Sequence, residues 1–460
     1  MVIWVELSKN DKIELNIDAL TSEGSGVGRY NGLAVFVRGT VPKDKITAHI
    51  IKRSKNYAIG KIEEIITPSP ERIDSDCPHS ERCGGCSFRQ LTYKEELKYK
   101  LSRVNDALER IGHLDVRCDE IIGADSIDGY RNKAQYPVLM DSGELLAGFY
   151  AYKSHRIIPC TDCKLLPKEF ENGLKAFSEW AKRANITSYD ERTGKGLLRH
   201  IYFRKGFATG EIMACAVING TSIPYPDLLI SLLKESVDGL KSIVLNINRK
   251  NTNVILGDEF ITLWGSDNIN DVLLGKKFQI SPSSFYQVNH NQCEKLYLKA
   301  KEFADLKGDE VLLDLYCGVG TIGLTLADSV KQLIGIEIIP QAIENAKANA
   351  KINDVTNAQF ICADAPEGAK ILEQQGIRPD VIVLDPPRKG CDKSLFDTIE
   401  QMSPEKIVYI SCDSATLARD LDILKSKNYT TKKVTAVDMF PRTPHVECVV
   451  LLSKTLEKAE

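Results

Sequence analysis

"VLLDLYCGVGT", residues 311–321, is a strand running into a glycine loop. Val311 to Leu315 are apolar except for Asp314, as expected of a strand covered on both faces. Gly318 and Gly320 then let the backbone pass close to a ligand with no Cβ in the way. From about residue 300 onward the pattern repeats. EVLLDLYCG, QLIGIEII, AQFICAD, PDVIVLDPP and KIVYISC read as strands, each followed by a helical stretch such as QAIENAKANAKIND or ATLARDLDILKSKN. Alternating buried strands and helices predict a parallel, doubly wound (Rossmann-like) α/β domain over 281–460.

The rest of the chain has a different pattern. Residues 11–66 form short alternating runs (KIELNIDAL, LAVFVRG, KITAHII, YAIGKIEEII) punctuated by Gly24, Gly26, Gly28, Gly32 and Gly39. Such spacing predicts a small closed β-barrel of the OB type over 1–70, ended by the stiff Thr67-Pro-Ser-Pro70. KEELKYKLSRVNDALERIG, 94–112, is an amphipathic helix with Leu97, Leu101, Val104 and Leu108 on one face, expected to pack on the C-terminal domain. Strands and helices mix between about 120 and 280, so 71–280 is expected to be a central α+β domain.

Composition limits the function classes. With 43% apolar and 27% charged residues the chain is an ordinary globular one. No apolar run approaches the roughly 20 residues needed to span a bilayer. MVIWVELSKND has neither the basic nor the apolar segment of a signal peptide, so the cytoplasm is the expected compartment. A net charge of −3 excludes a uniformly basic nucleic-acid binder. Basic charge is local: Lys43, Lys45, Lys52, Arg53, Lys55 and Lys61 stand against Asp44 alone within 43–61.

Beyond the glycine loop, Glu337 closes the next strand, placed to accept hydrogen bonds from ribose hydroxyls. NAD enzymes share this layout, but the loop reads DxYCGVGT instead of GxGxxG, and Asp385-Pro-Pro387 ends the fourth strand. With Asp364 after the third strand, this set resembles a class I S-adenosylmethionine methyltransferase. Amino-methylating members of that fold place an aromatic after the two prolines. Here Arg388 stands there, which argues against an exocyclic amine as methyl acceptor.

KIVYISC suggests another acceptor. Cys412 ends a buried strand and a helix follows at once. C5 of uracil is too weak a nucleophile to take a methyl group unaided. A thiolate adding to C6 makes C5 an enolate carbon, and the product is released once a base removes the C5 proton. A helix N-terminus favours the thiolate. FPRTPHVE, 440–447, supplies His445 and Glu447, and Glu447 is the candidate base.

SPSSFYQVN (281–289), DLYCGVGT, DPPRKG, SCDSATLARDL and DMFPRTPHVE together resemble the RNA 5-methyluridine methyltransferases. The resemblance implies that Gln287, Tyr316, Glu337 and Asp385, with Asp364 as a weaker member, line the S-adenosylmethionine and target-base site. It also implies Cys412 as nucleophile and Glu447 as base. The N-terminal barrel resembles a TRAM domain, whose basic grooves and aromatic platforms hold single strands. Tyr30, Phe36 and Tyr57 are candidates, Tyr57 being the one expected to be exposed. A paired, stacked uridine hides C6, so the target must lie in a loop or be flipped out.

Thirteen cysteines are many for a reducing compartment. Cys118, Cys215, Cys293, Cys362 and Cys391 are scattered and read as packing residues. Cys77, Cys83 and Cys86, with Gly84 and Gly85 between, instead cluster. Zinc or an iron–sulfur cluster would fit, with Cys160 or Cys163 as a remote fourth ligand. The family resemblance implies a structural 4Fe–4S cluster on Cys77, Cys83, Cys86 and Cys163, because Cys163-Lys-Leu-Leu matches better than Cys160. The barrel and the cysteines favour 23S rRNA over tRNA as substrate. A non-catalytic RNA-binding protein on the same fold is the rival of another class. No obligate partner is expected and the chain reads as a monomer.

Overall fold

The computed structural model describes residues 7–455. The chain divides into two compact units. One comprises residues up to Arg103 with Tyr150–Ile158 and Phe440–His445; the other comprises Val104–Phe149, Pro159–Met439 and the chain from Val446 on.

The first unit contains β1 (Lys12–Asn16), β2 (Ala19–Leu20), β3 (Gly26–Tyr30), β4 (Leu33–Val37), β5 (Lys45–Ser54) and β6 (Tyr57–Thr67), in sheet order β1-β5-β6-β4-β3-β2. Period-two alternation points Ile13, Leu15, Val35, Val37, Ile46, Ala48 and Ile50 inward to one core. Gly28 of β3 lies so close to β1 that a Cβ would collide with the Asn16 carbonyl, so glycine is required where the sheet curls on itself. Tyr57 is half-buried, its ring 5.8 Å from that of Phe36. Asp44, the lone acid of the basic stretch, is fully buried. It accepts two hydrogen bonds from Arg72, at 3.0 and 2.6 Å, and others from Val41 N and Ser69 N, binding the chain beyond Pro70 to the barrel.

α1 (Tyr93–Arg110) starts in this unit. Its buried residues here are Glu96 and Lys100, while Leu97 and Leu101 are only half covered. The reason is the segment 440–445, whose polar groups need partners. Glu96 accepts from Arg442 N at 2.7 Å and from Lys100 Nζ at 2.8 Å, and Lys100 also donates to Phe440 O at 3.2 Å. The Arg442 guanidinium donates to Phe88 O and Leu91 O, and its own carbonyl accepts from Ser87 N. Removing one member leaves a buried charge uncompensated, so Arg442→Ala should lower stability by about 3–5 kcal/mol. A urea titration followed by tryptophan fluorescence and circular dichroism reads this; an unchanged midpoint would refute it.

In the second unit, β7 (Glu120–Ile122) precedes a mixed sheet of β8 (Lys133–Asp141), β9 (Glu144–Tyr150), β11 (Leu198–Lys205), β12 (Ile212–Ile218), β13 (Leu240–Ile247) and β14 (Glu259–Gly265), ordered β9-β8-β11-β12-β13-β14, whereas the short β10 (Ile157–Pro159) falls largely in the first unit. α2 (Lys168–Arg183) and α3 (Pro226–Ser236) supply Phe170, Leu174, Phe177, Trp180, Leu229 and Leu233 to a core with Ile201 and Phe203 of β11. Tyr202 and Arg204, the alternate residues of β11, are also fully buried. Tyr202 donates to Pro282 O, and Arg204 donates to Ser281 O and Ser284 O. The central sheet thus grips the SPSSFYQVN segment, which follows the hairpin β15 (Ile269–Leu273) and β16 (Lys276–Ile280) and leads into α4 (His290–Ala304).

The second sheet contains β17 (Val311–Leu315), β18 (Gln332–Glu337), β19 (Ala358–Cys362), β20 (Val381–Leu384), β21 (Lys406–Ser411), β22 (Tyr429–Val437) and β23 (Glu447–Lys454). Its order is β19-β18-β17-β20-β21-β23-β22-β7, with β17 to β21 mutually parallel. Between them and after them run α5 (Thr321–Leu326), α6 (Pro340–Ile352), α7 (Ala365–Gln374), α8 (Lys393–Met402) and α9 (Ser414–Ser426). The parallel, doubly wound α/β sheet and the N-terminal barrel are as expected. Strand order reverses between β17 and β20, which opens a crevice at their carboxyl ends. β23 is inserted antiparallel between β21 and β22, so its first residue lies at the end where the parallel strands finish. No helix among the described residues is long and apolar enough to cross a membrane.

Candidate active site

The crevice begins at the loop after β17. Tyr316 (φ 66°), Gly318 (φ 55°) and Gly320 (φ 83°) all adopt the left-handed region, and α5 starts directly behind them. Glu337, the last residue of β18, accepts from Gly318 N at 3.2 Å and from Ile339 N at 3.0 Å, which holds its carboxylate beside the loop. Asp314 Oδ2 accepts from Gly323 N at 2.8 Å, whereas its buried Oδ1 has no hydrogen-bond partner. Burial pushes Asp314 up to about 7, with the charges of Asp385 and Glu337 adding to it. Burial alone pushes Asp385 up to about 7. A glycine cradle rimmed by acids, one with an orphaned oxygen, fits a donor with a ribose and a positive charge. Ile338 is 64% exposed next to Glu337 and offers an apolar surface for a purine ring. Asp364 is exposed; its Oδ1 caps α7 by accepting from Glu367 N at 2.8 Å.

Cys412 and Glu447 come together through strand pairing. Ser411 of β21 faces Cys448 of β23, so one step further the half-exposed Cys412 meets the buried Glu447. The thiol is pushed up to about 11 by burial, then by the charges of Glu447 and Asp385; Arg388 opposes them. Glu447 is pushed up to about 8 by burial and by Asp385, again opposed by Arg388. The helix N-terminus does not dominate here. Asp413, the N-cap of α9, takes the Ala415 and Thr416 N–H groups at 3.0 and 2.9 Å. The thiolate therefore depends on Arg388 and on whatever positive charge the crevice receives.

Gln287 is buried on the segment between β16 and α4, and its side-chain amide makes no hydrogen bond among the described residues. Its backbone is firmly held. Asn132 donates to Gln287 O and Val288 O, each at 2.8 Å. Asp271, fully buried, accepts from Tyr286 Oη at 3.1 Å and contacts His290 Nδ1 at 3.2 Å. Phe285 is 67% exposed.

The cysteine cluster splits between the units. Cys77, Cys83 and Cys86 are half-buried in the first, on a loop tied to the barrel: Arg38 donates to Cys83 O and Cys86 O, both at 3.0 Å. Gly84 donates to Tyr150 O, and a Cβ on Gly84 would press on that oxygen. Cys163, half-buried, and Cys160, buried, lie between β10 and α2 in the second unit. None of these thiols is in a disulfide. Three half-buried thiols on one loop, Cys77, Cys83 and Cys86, are a donor set that suits a soft metal centre.

The model of the tRNA (uracil-5-)-methyltransferase family matches residues 233–455, and that of the TRAM domain matches residues 8–62. An uncharacterized RNA methyltransferase of Clostridium tetani is 45% identical over 449 residues, covering 98% of each chain. The chain belongs to the RNA uracil-5 methyltransferase family. Another relative, an RNA methyltransferase of Halalkalibacterium halodurans, is 44% identical over 97% of this chain and 98% of its own. Among solved structures, the tRNA (uracil-54, C5)-methyltransferase of Pyrococcus abyssi, in complex with S-adenosylhomocysteine, matches with a TM-score of 0.78 and 28% identity. The match covers 96% of this chain and 100% of that one. The enzyme thus depends on S-adenosylmethionine and acts on RNA.

The motifs mark Asp314 only as the polar residue of its strand, and they leave Asn132 and Asp271 unmarked. A polar residue within an apolar strand, as in VLLDL or INDVL, was the available signal for the two acids; Asn132 had none. Burying Glu447 has a pH signature. Its folded value lies well above an ordinary carboxyl's, so the penalty is absent at low pH and grows as pH rises from about 4.5 toward 8. Glu447→Gln should therefore melt above the parent enzyme at pH 8, with the gap closing toward pH 4.5. A gap independent of pH in calorimetry would contradict the buried, protonated state.

Proposed function

We propose that the enzyme methylates C5 of a uridine in RNA through a covalent bond between Cys412 and C6. The observation supporting this is the β21–β23 register, which puts a thiol and a buried carboxylate at the mouth of the donor crevice under the shared influence of Asp385 and Arg388. Gln287, Tyr316, Glu337 and Asp385, with Asp364 at the rim, would hold the donor and the target base. S-adenosylmethionine, when bound there, supplies an electrophilic methyl group and leaves as S-adenosylhomocysteine.

Cys412 adds to C6 as the thiolate, and the C5–C6 π electrons pass through C4 to O4 as an enolate. C5 of this enolate is the carbon that accepts the methyl group. The Glu447 carboxylate then takes the C5 proton; the C5–C6 double bond re-forms and expels the Cys412 thiolate. Arg388 favours the charged forms of both residues, and the cationic donor would act in the same direction. A base with a value near 8 is strong enough to accept a carbon-bound proton yet releases it near neutral pH.

The substrate is 23S rRNA, presented as an unpaired or flipped-out uridine. Lys43, Lys52, Lys55 and Lys61 are exposed on the barrel to meet phosphates, and the Phe36–Tyr57 pair gives a partly open stacking surface. A tRNA substrate is the second reading. It is favoured by the Pyrococcus abyssi tRNA enzyme, which matches 96% of this chain, so the barrel does not by itself separate the two classes. Cys77, Cys83, Cys86 and Cys163 would hold a structural 4Fe–4S cluster, which supplies no electron to the methyl transfer.

With labelled donor, Cys412→Ala should give no 5-methyluridine, and Glu447→Gln should slow turnover by about 10²–10⁴-fold while a methylated protein–RNA adduct accumulates. Methylation by Cys412→Ala at the parental rate would refute the covalent route. Assays on 23S rRNA fragments and tRNA transcripts decide the substrate; label on tRNA alone would replace the first assignment with the second. Anaerobically purified enzyme should contain iron and sulfide, and Cys83→Ser should lack both. Zinc alone would reject the cluster.

A further inference from the structure

Asp420, on α9, is fully buried and lies behind the reacting groups. Its Oδ2 accepts from Tyr409 Oη at 2.7 Å and from Cys391 N at 2.9 Å. Its Oδ1 accepts from Arg419 Nε at 2.8 Å and Nη2 at 2.6 Å, and Nη2 also donates to Lys389 O at 2.9 Å. Gly390 (φ 77°) sits directly against this pair: a Cβ there would collide with Arg419 and Asp420. The clasp thus seizes the loop after β20 at Lys389, Gly390 and Cys391. That loop also carries Asp385 and Arg388. Through Cys391, whose Sγ lies 3.4 Å from Tyr409 Oη and which interacts electrostatically with Tyr316, the clasp reaches the donor loop.

Tyr409 lies on β21, which ends just before Cys412, and Asp420 lies on the helix that follows it. One carboxylate therefore spans the elements on both sides of the nucleophile and the loop bearing its counter-charge. We propose that Asp420 is a positioning residue: by clasping residues 389–391 it holds Arg388 within electrostatic reach of Cys412 and Glu447.

The groups acting on Cys412 are Glu447 from β23 and Asp385 and Arg388 from the loop after β20; the neighbouring Asp413 carboxylate is engaged by Ala415 N and Thr416 N. Arg388 is the cation among them and is exposed, so it is not held by packing. If the 386–391 loop drifts, the carboxylate Glu447, fixed in a strand, stays and Arg388 leaves. The thiol then ionises less readily. Asp420 itself touches neither substrate nor donor. The inference rests on Cys412 being the nucleophile, but its test reads the thiol directly and needs no methyl transfer.

The experiment is alkylation of the full-length enzyme by iodoacetamide between about pH 8 and 10, following the Cys412 peptide by mass spectrometry; here the rate is proportional to the thiolate fraction. Asp420→Asn should lower the Cys412 alkylation rate about threefold or more at each pH. Arg388→Gln should produce the same loss, and the double variant no further one, because both act through one charge. Gly390→Ala, which pushes into the clasp from the other side, gives a second route should Asp420→Asn fold poorly. An unchanged rate in the folded variants, or losses of Asp420→Asn and Arg388→Gln that multiply, would overturn the proposal. Loss of methyl transfer by the parent enzyme itself would count against Cys412 chemistry, not against the clasp.

Discussion

Ser411 and Cys448 face each other across the antiparallel pair β21–β23, and the approach of Cys412 to Glu447 depends on that register. In a sheet built only of parallel strands, the late glutamate would start its strand at the end remote from the crevice. Running β23 the other way brings its first residue level with the carboxyl ends of β17, β20 and β21. A slip of one residue would turn Glu447 to the other face of the sheet. The buried run Val449, Val450 and Leu452 against Ile407, Val408 and Ile410 makes such a slip costly, at about 1.5–3 kcal/mol for each large side chain exposed.

Around that register the enzyme accumulates negative potential. Asp314 and Glu447 are buried, Asp385 is half-buried, and all three are raised toward or above neutrality. Burial and mutual repulsion there disfavour both the carboxylates and the thiolate. This is an arrangement poised for a cation. A donor with a sulfonium charge favours ionisation of every acid it approaches, so its arrival and the ionisation of the Cys412 thiol are thermodynamically linked. Arg388 supplies a permanent part of the same effect.

The first unit solves a different problem with the same materials. A six-residue segment from near the C-terminus, Phe440–His445, joins a barrel made from the N-terminus. Its backbone polar groups are matched by buried Glu96, Lys100 and Arg442 in place of the leucines that an amphipathic helix suggests. Apolar packing alone could not have satisfied those carbonyls and N–H groups. The three cysteines sit on a neighbouring loop whose backbone is held by Arg38 of the barrel.

Local sequence determined a good deal of this protein. Runs such as VLLDL, LIGIE and VIVL are apolar enough to be buried strands and little else, and the glycine loop, DPPRKG and HVE identify the chemistry because each is short-range and tied to one strand end. Covalent neighbours share their geometry, so such signals survive without knowledge of the fold. What only the tertiary structure decided is everything between residues far apart in the chain: that Asp364 is spent as a helix cap, that Asp314 carries an orphaned oxygen, that Asn132 and Asp271 grip the Gln287 loop, that Asp420 reaches back to Gly390. Buried charge is unreadable in one dimension, because whether an acid is solvated, paired or trapped depends on partners brought together by packing alone.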